Sequence, residues 1–476
     1  MAKFSPLKLL SAEEMAEIHK KILQLLEEKG MVFQSDDTID TLRHHGAKVL
    51  EHTVYFPQKM VETALARCPS SFLLEAMDPE RNVTVGEGLL IHPAGGEVFA
   101  CDEQGHRRSS TLADFEALQK IYQACPEIDI AGYQPLSPGD VPERYKGLSC
   151  LFASMRHSNK PILSPMELDT IEEKEECLRL FDIAYGKENY IAEHYLTCHA
   201  VCPNTPFFYS QFACDGIKVF AEHNQPIMIV SAPISGITSP VYLYSTVILS
   251  LAEMIAGLVY AQILRPGVPV VLSASLTYGN LRYATWECAA PESTLMLCAS
   301  VQMLREFYRL PARAQTGVTG AKCIDYQAGI ETMQSFLTTA LTGVHLTSQS
   351  VGTLANLMTT SAEKTVLDNE MISRCRSILK GMDTSEAASG IKELLASDPC
   401  RDFMTAESTL KHCREGWQPS ISDWRSIEAW EAGGSKDIKE IAKEKVQKIL
   451  ANAPQTVLDP EQEKAMKAYI KRIKMK

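Results

Sequence analysis

The chain lacks the marks of several large functional classes. Acidic residues outnumber basic ones 59 to 47, for a formal charge of −12 over 476 residues, and no block of lysine and arginine interrupts that balance. A surface that binds nucleic acid by releasing counterions is therefore not expected. No CxxC pair occurs among the fourteen cysteines, and no secretory leader opens the sequence. Scattered thiols in a chain of this length point to a reducing cytoplasm, not to a disulfide framework. There is no GxGxxG after an apolar run and no GxxxxGK[ST], since GVTGAK at Gly317 to Lys322 is too short for a phosphate loop. Nucleotide chemistry loses its usual signatures.

One apolar run is long enough to span a bilayer. Val241 to Leu264 carries a single charge, Glu253, but also Tyr242, Tyr244, Ser245, Ser250 and Tyr260, and it has no basic flank. It reads as a buried helix packed on a sheet.

What is present is a change of rhythm along the chain. Ser11 and Glu14 make a capping box, Met15, Ile18, Ile22 and Leu25 follow at helical spacing, and Gly30 stops the helix. Residues 1–88 are expected to form a helical cap with one short extended piece, Val54 to Pro57. From Leu89 short apolar runs alternate with helical segments. The runs are Leu90 to Pro93, Ile128 to Gln134, Ile162 to Pro165, Tyr195 to Val201, Ile227 to Ser231, Val268 to Ser273, Ala312 to Gly317 and Val344 to Gln349. Eight strands with helices between them predict an α/β fold of the (β/α)8 TIM-barrel type over residues 89–360. Residues 361–476 turn helical again and read as a C-terminal wrap, with Trp417, Trp424 and Trp430 clustered in it.

A barrel builds its active site at the C-terminal ends of its strands. Those positions hold His92, Tyr133, Gln134, Ser164, Glu167, His199, Cys202, Ser231, Ser275, Tyr278, Gln315, Thr316, Gln349 and Ser350. Neutral polar groups and rings dominate, and groups suited to proton transfer are scarce. Cys198, His199 and Cys202 offer soft metal ligands in CHAVC, but alternation places Cys198 and His199 on opposite faces. The bland alternative is a thiol on the helix side and a histidine ring lining the barrel. The GGE at Gly95 to Glu97 permits close backbone approach, to a ligand or in a tight turn.

Longer stretches then resemble a known family. They are LLSAEEMAEIHKKILQLLEEKG near the start, CPSSFLLEAMDPERNVTVGEG from Cys68, SMRHSNKPILSP from Ser154 and APESTLMLCASVQMLREFYRLPARAQTG from Ala290. DYQAGIETMQSFLTTALTG from Asp325, TVLDNEM from Thr365 and SISDWRSIEAWEAGGSKDI from Ser420 continue the set in order. Together they resemble the trimethylamine methyltransferase family, which moves methyl groups from methylated amines to the cobalt of a corrinoid protein. The resemblance implies a barrel whose open face receives a corrinoid (cobalamin) carried by a separate partner protein, with no tightly bound cofactor of its own. Trimethylamine enzymes of the family use pyrrolysine, which is not written here, so a quaternary amine is the implied substrate: glycine betaine, proline betaine, carnitine or butyrobetaine. The family's histidine or tyrosine near the last strand is replaced by Gln349, and GTLANLM beyond it offers Asn356.

The resemblance agrees with the residue chemistry. A quaternary ammonium leaves as a neutral amine, so its demethylation needs orientation and dryness but no proton donor. Rings that could face the cation are Phe99, Tyr133, Phe207, Tyr278 and Tyr283, with His199 lining the barrel. A betaine carboxylate could be held by Arg313, Arg282 or the amides of Gln134, Gln315, Gln349 and Asn356. Gln349 and Asn356 are the positions expected to matter most for turnover. The function expected is a betaine:corrinoid-protein Co-methyltransferase, cytoplasmic and plausible as a homo-oligomer. Two other classes stay open here: a zinc-dependent methyltransferase using Cys198, His199 and Cys202, and a betaine-binding subunit without catalysis.

Overall fold

The computed structural model describes residues 6–102, 104–132 and 135–475. Each of the eight anticipated runs contains or overlaps a strand: β1 (Leu90–Ile91), β2 (Ala131–Gly132), β3 (Ile162–Leu163), β4 (His199–Val201), β5 (Ile227–Ser231), β6 (Val270–Ala274), β7 (Ala312–Gln315) and β8 (Leu346–Ser348). Helices follow them in turn: α1 (Leu112–Ala124), α2 (Glu143–His157), α3 (Ile171–Tyr185), α4 (Gln211–Glu222), α5 (Leu243–Leu264), α6 (Pro291–Gln302), α7 (Tyr326–Leu341) and α8 (Ala362–Leu379). Six strands make one parallel sheet in the order β4, β5, β6, β7, β8, β1, and β2 and β3 pair in parallel with each other. The amides of Asp129 and Ile130, just before β2, donate to the Ile91 carbonyl and tie the pair to the β1 edge. On the other side the Thr197 hydroxyl before β4 donates to Ile162 O of β3.

Alternation sorts the strand residues into two environments. Ile227, Ile229, Val270, Leu272, Ala312 and Ala314 join the core beneath α5, whereas Met228, Val230, Val271 and Leu346 form an inner cluster with Cys198 and Ala200. Phe72, Leu74 and Val85 from an N-terminal hairpin complete that cluster and close one end of it. Helix α5 is apolar on every side because every side is covered. The sheet lies on one flank, the N-terminal helices Ala12–Gln24 and Gln58–Arg67 on the other, and its apolar window is 89% buried. That is the buried helix on a sheet expected from its composition.

The N-terminal segment is not helical throughout, as its amphipathic text suggests. It carries five short strands, Met31–Phe33, Lys48–Leu50, Thr53–Tyr55, Phe72–Leu74 and Val83–Val85. Three-residue strands leave too little alternation to be distinguished from helix by periodicity. At the other end α8 leads into short exposed helices and then α9 (Ile438–Asn452) and α10 (Pro460–Lys474). Helix α9 packs on α8 and α1, and α10 on α3 and α2.

Candidate functional site at the strand ends

The inner face changes character along the strands. Its lower tier is the apolar cluster just described; its upper tier, at and beyond the strand ends, is His92, Ser273, Ser275, Arg313, Gln315, Ser348 and Gln349, and the first six are buried. Polar groups are desolvated here because they satisfy one another. His92 Nδ1 lies 2.8 Å from Ser348 Oγ. Burial, reinforced by the positive charge of Arg313, pushes the imidazole pKa down to about 3, so it is neutral at physiological pH. Arg313 donates through Nη1 to Ser273 Oγ at 2.9 Å and Ser275 Oγ at 2.8 Å, and through Nη2 to Gln349 Oε1 at 3.3 Å. These contacts fix the orientation of the guanidinium.

Gln349 is held at both ends of its amide. Its Nε2 donates to Gly95 O at 2.8 Å, its backbone amide to Pro93 O at 2.8 Å, and its φ is +62°. A left-handed non-glycine residue costs backbone strain and persists where surrounding contacts impose it. The GGE turn approaches here, with Glu97 wholly buried behind it: Oε1 accepts from Thr353 Oγ1 at 3.1 Å, and burial pushes its pKa up to about 8.

A second group lies beside the first. The hairpin Thr277–Asn280 with Thr285–Glu287 follows β6 and pairs Tyr278 with Glu287. Ser293 at the start of α6 anchors it, accepting from the Tyr278 amide at 2.8 Å and donating to Glu287 O at 2.7 Å. Asn356 reaches across from the segment after β8: Nδ2 donates to Trp286 O at 2.9 Å and Glu287 Oε2 at 3.2 Å, and Oδ1 accepts from Cys288 N at 3.3 Å. Burial pushes the Cys288 thiol pKa up to about 12, and the nearby Gln315 amide draws it back in part. The end of β7 thus lies near the hairpin.

The structure thus brings Arg313, Gln349, Gln315, Asn356 and Tyr278 around the ends of β6, β7 and β8. It separates the other rings. Phe99 lies on a hairpin beyond β1 with the Arg107 guanidinium 4.2 Å from its ring centre. Phe207 faces a cavity of about 840 Å³ shared with Lys21, Leu25, Lys29 and Ile237, at the N-terminal helix. Tyr283 is 68% exposed and stacks with Arg282 outside. Tyr133 and Gln134 fall outside the described residues.

His199 requires a correction of facing. Its ring stacks on Phe220 of α4 at 4.1 Å and abuts Gly216, and Nδ1 lies 2.7 Å from Ser164 Oγ. The imidazole is on the helix side and the Cys198 thiol on the inner face, the reverse of the bland assignment. The CHAVC ligand set therefore does not converge. Among the described residues no group of three His, Cys, Asp or Glu could hold a metal ion. Glu287 is a residue that strand-end reasoning passed over, since it sits well past β6 on a hairpin, and Glu97 was singled out only as part of the GGE turn.

Comparison with known proteins adds a family to this geometry. Residues 1–476 match the family described as trimethylamine methyltransferase. The chain is 30% identical to the glycine betaine methyltransferase of Desulfitobacterium hafniense (strain Y51), over 97% of its own length and 96% of that protein. It is 28% identical to a trimethylamine methyltransferase of Methanosarcina barkeri over 98% and 94% of the two chains, and 24% identical to the L-carnitine:corrinoid methyltransferase of Eubacterium limosum over 85% and 84%. In fold it is similar to the crystal structure of the Methanosarcina barkeri monomethylamine methyltransferase, with a TM-score of 0.54 at 12% identity, covering 95% of this chain and 89% of that one.

Proposed function

The chain belongs to the trimethylamine methyltransferase family and is a methyltransferase, and from that premise we propose that it takes a methyl group from the quaternary ammonium of a betaine and passes it to the cobalt of a corrinoid on a separate protein. The two parallel sheets are arcs of one (β/α)8 barrel in this reading. The hydrogen bonds at Ile91 and Ile162 support closure.

The observation that carries the reading is Arg313, a buried guanidinium fixed on the inner face by Ser273, Ser275 and Gln349. A positive charge at the strand ends suits a methylated amine only if that amine also bears an anion, and a betaine carboxylate is such an anion. Proton transfer is not demanded of this chain. The leaving amine is already neutral, and the nearby imidazole of His92, held unprotonated down to about pH 3, is matched to that. What the protein supplies is placement: Arg313 and Gln349 fix the carboxylate end, and the buried walls exclude water from the methyl group.

The corrinoid, when docked, supplies the nucleophilic metal that accepts the methyl group. The rim of the strand ends fits such a visitor. Exposed Ile237 and Tyr242 after β5, Leu281, Tyr283 and Trp286 after β6, and Tyr326 after β7 make an apolar margin suited to a protein partner. Fourteen free thiols agree with a reducing, cytoplasmic setting.

The test is direct. Purified protein mixed with a reduced corrinoid protein should give the methyl-cobalt absorbance with at least one of glycine betaine, proline betaine, carnitine and butyrobetaine, and not with trimethylamine. Methylation by trimethylamine alone, or by none of the five, overturns the proposal.

A further inference from the structure

We propose that Glu287 is the specificity-determining counter-charge for the substrate's ammonium group, an inference that rests on the betaine reading and adds the second half of zwitterion recognition to it. Arg313 accounts for the anion. A zwitterion also needs a negative group, and the hairpin after β6 provides one beyond the neighbouring strand end.

Four features converge on this carboxylate. Asn356 Nδ2 donates to its Oε2 at 3.2 Å and so orients it. Asn356 is itself fixed by Trp286 O, by Cys288 N and, through its own amide, by Thr319 O at 2.9 Å. It sits in the middle of three successive left-handed non-glycine residues, Ala355, Asn356 and Leu357, at φ of +52°, +53° and +69°. Such a run persists only where surrounding contacts impose it, and here the imposed geometry aims an amide at Glu287.

Gly320 is the second partner. A Cβ at that position would stand 2.9 Å from Glu287 Oε2 and 3.5 Å from both terminal atoms of Asn356. Its φ is not in the left-handed region, so what the glycine supplies is space for the carboxylate. Third, the antiparallel register sets Tyr278 directly opposite Glu287, which puts an aromatic ring and a carboxylate on the same face of the hairpin. A ring beside a carboxylate is the usual pairing for a diffuse cation. Fourth, Gln315, two residues from Arg313 on β7, acts on the thiol of Cys288, next to Glu287, and draws its pKa down against burial. The two opposite charges therefore flank adjacent strand ends.

The experiment compares ligands that differ only in charge. Glycine betaine and its carbon isostere 3,3-dimethylbutyrate share shape and carboxylate, but only the first carries a cation; tetramethylammonium carries the cation alone. Dissociation constants would be measured by calorimetry for the wild type, Glu287→Gln and Gly320→Ala. Glu287→Gln should weaken glycine betaine and tetramethylammonium by roughly tenfold or more, leave 3,3-dimethylbutyrate within about twofold, and keep the wild-type unfolding midpoint. Gly320→Ala should follow the same pattern, because its methyl displaces the carboxylate. Equal loss of all three ligands would mark Glu287 as structural and overturn the inference, as would no loss of any. If the wild type binds tetramethylammonium through Glu287 but no betaine, the betaine reading falls and the counter-charge stands. If betaine binds the wild type and Glu287→Gln alike, the reverse holds.

Discussion

Glu97 carries a carboxyl that solvent does not reach, and its titration should be visible in the stability of the whole chain. Burial raises its folded pKa to about 8, while the Glu97 and Gly95 amides and the Thr353 hydroxyl pull it back only in part. An unfolded glutamate titrates near about 4.3. Between those values the folded chain holds a proton that the unfolded chain has lost, so stability falls as pH rises from about 4.3 to about 8 and levels off beyond. The slope from this one group is at most about 1.4 kcal/mol per pH unit. Glu97→Gln keeps the acceptor for Thr353 and cannot ionise. Urea midpoints measured from pH 5 to pH 9 should decline less in the variant, which should be the more stable protein at pH 8.5; parallel curves would refute the assignment. The sequence exposed this position only as the last letter of a tight GGE turn. The side chain meets Thr353 from beyond β8, which periodicity cannot place beside it. Glu287 escaped notice for a related reason: it lies on a hairpin past β6, and its meaning comes from Asn356 and Gly320, far along the chain.

Helix α5 shows how one charge is accommodated in an apolar element. Glu253 is fully buried, with Oε2 accepting from Ser231 Oγ at 2.6 Å and Thr205 Oγ1 at 2.8 Å, and Oε1 from the Phe207 amide at 3.0 Å. These bonds tie the end of β5 and the loop after β4, where Phe207 has a φ of +62°, to the helix. Burial raises the Glu253 pKa, the three donors notwithstanding. Glu253→Ala leaves a buried amide and two hydroxyls without their acceptor and should cost about 2–4 kcal/mol in urea unfolding. Glu253→Gln should cost less than half as much, since its oxygen can face Phe207 and its NH2 can donate to the two hydroxyls. Equal losses would show that the charge, not the hydrogen-bond pattern, is required. At this scale the sequence was legible where elements are long or buried on both faces: the eight parallel strands stand out as apolar runs, and α5 as a helix wrapped in core. It was less legible in the N-terminal segment, whose strands of three residues carry no period. It also misassigned His199, because β4 is buried on both faces and composition does not say which residue of CHAVC starts the strand facing inward.

Within the C-terminal wrap, the stretch Ser420 to Ser422 is clasped to α8 by a single carboxylate. Glu370 on α8 accepts from the amides of Ser420, Ile421 and Ser422 and from the hydroxyls of Ser420 and Ser422. Beside it Trp417 stacks under the Arg374 guanidinium at 4.5 Å, donates through Nε1 to Ser373 Oγ at 3.1 Å and meets Trp424 edge on. The tryptophans clustered in the sequence thus mark an anchor point, and the chain between α8 and that anchor is largely exposed, with Met382, Leu395, Met404 and Leu410 on its surface. Burial pushes the Glu370 pKa up, but the bonds from Ser422, Ser420 and Ile421 outweigh it and hold the carboxyl below its usual range. A depressed carboxylate contributes stability above its unfolded pKa and loses it as pH falls through the folded value. The clasp should therefore hold at neutral pH and loosen in acid. Glu370→Ala should open it at pH 7, giving proteolytic cleavage between residues 380 and 419 several times faster than in the wild type. The wild type should acquire the same cleavage pattern with an acid-active protease near pH 3, and the variant should gain little further. Cleavage of Glu370→Ala at the wild-type rate at pH 7 would mean that the tryptophan contacts hold the wrap without the carboxylate.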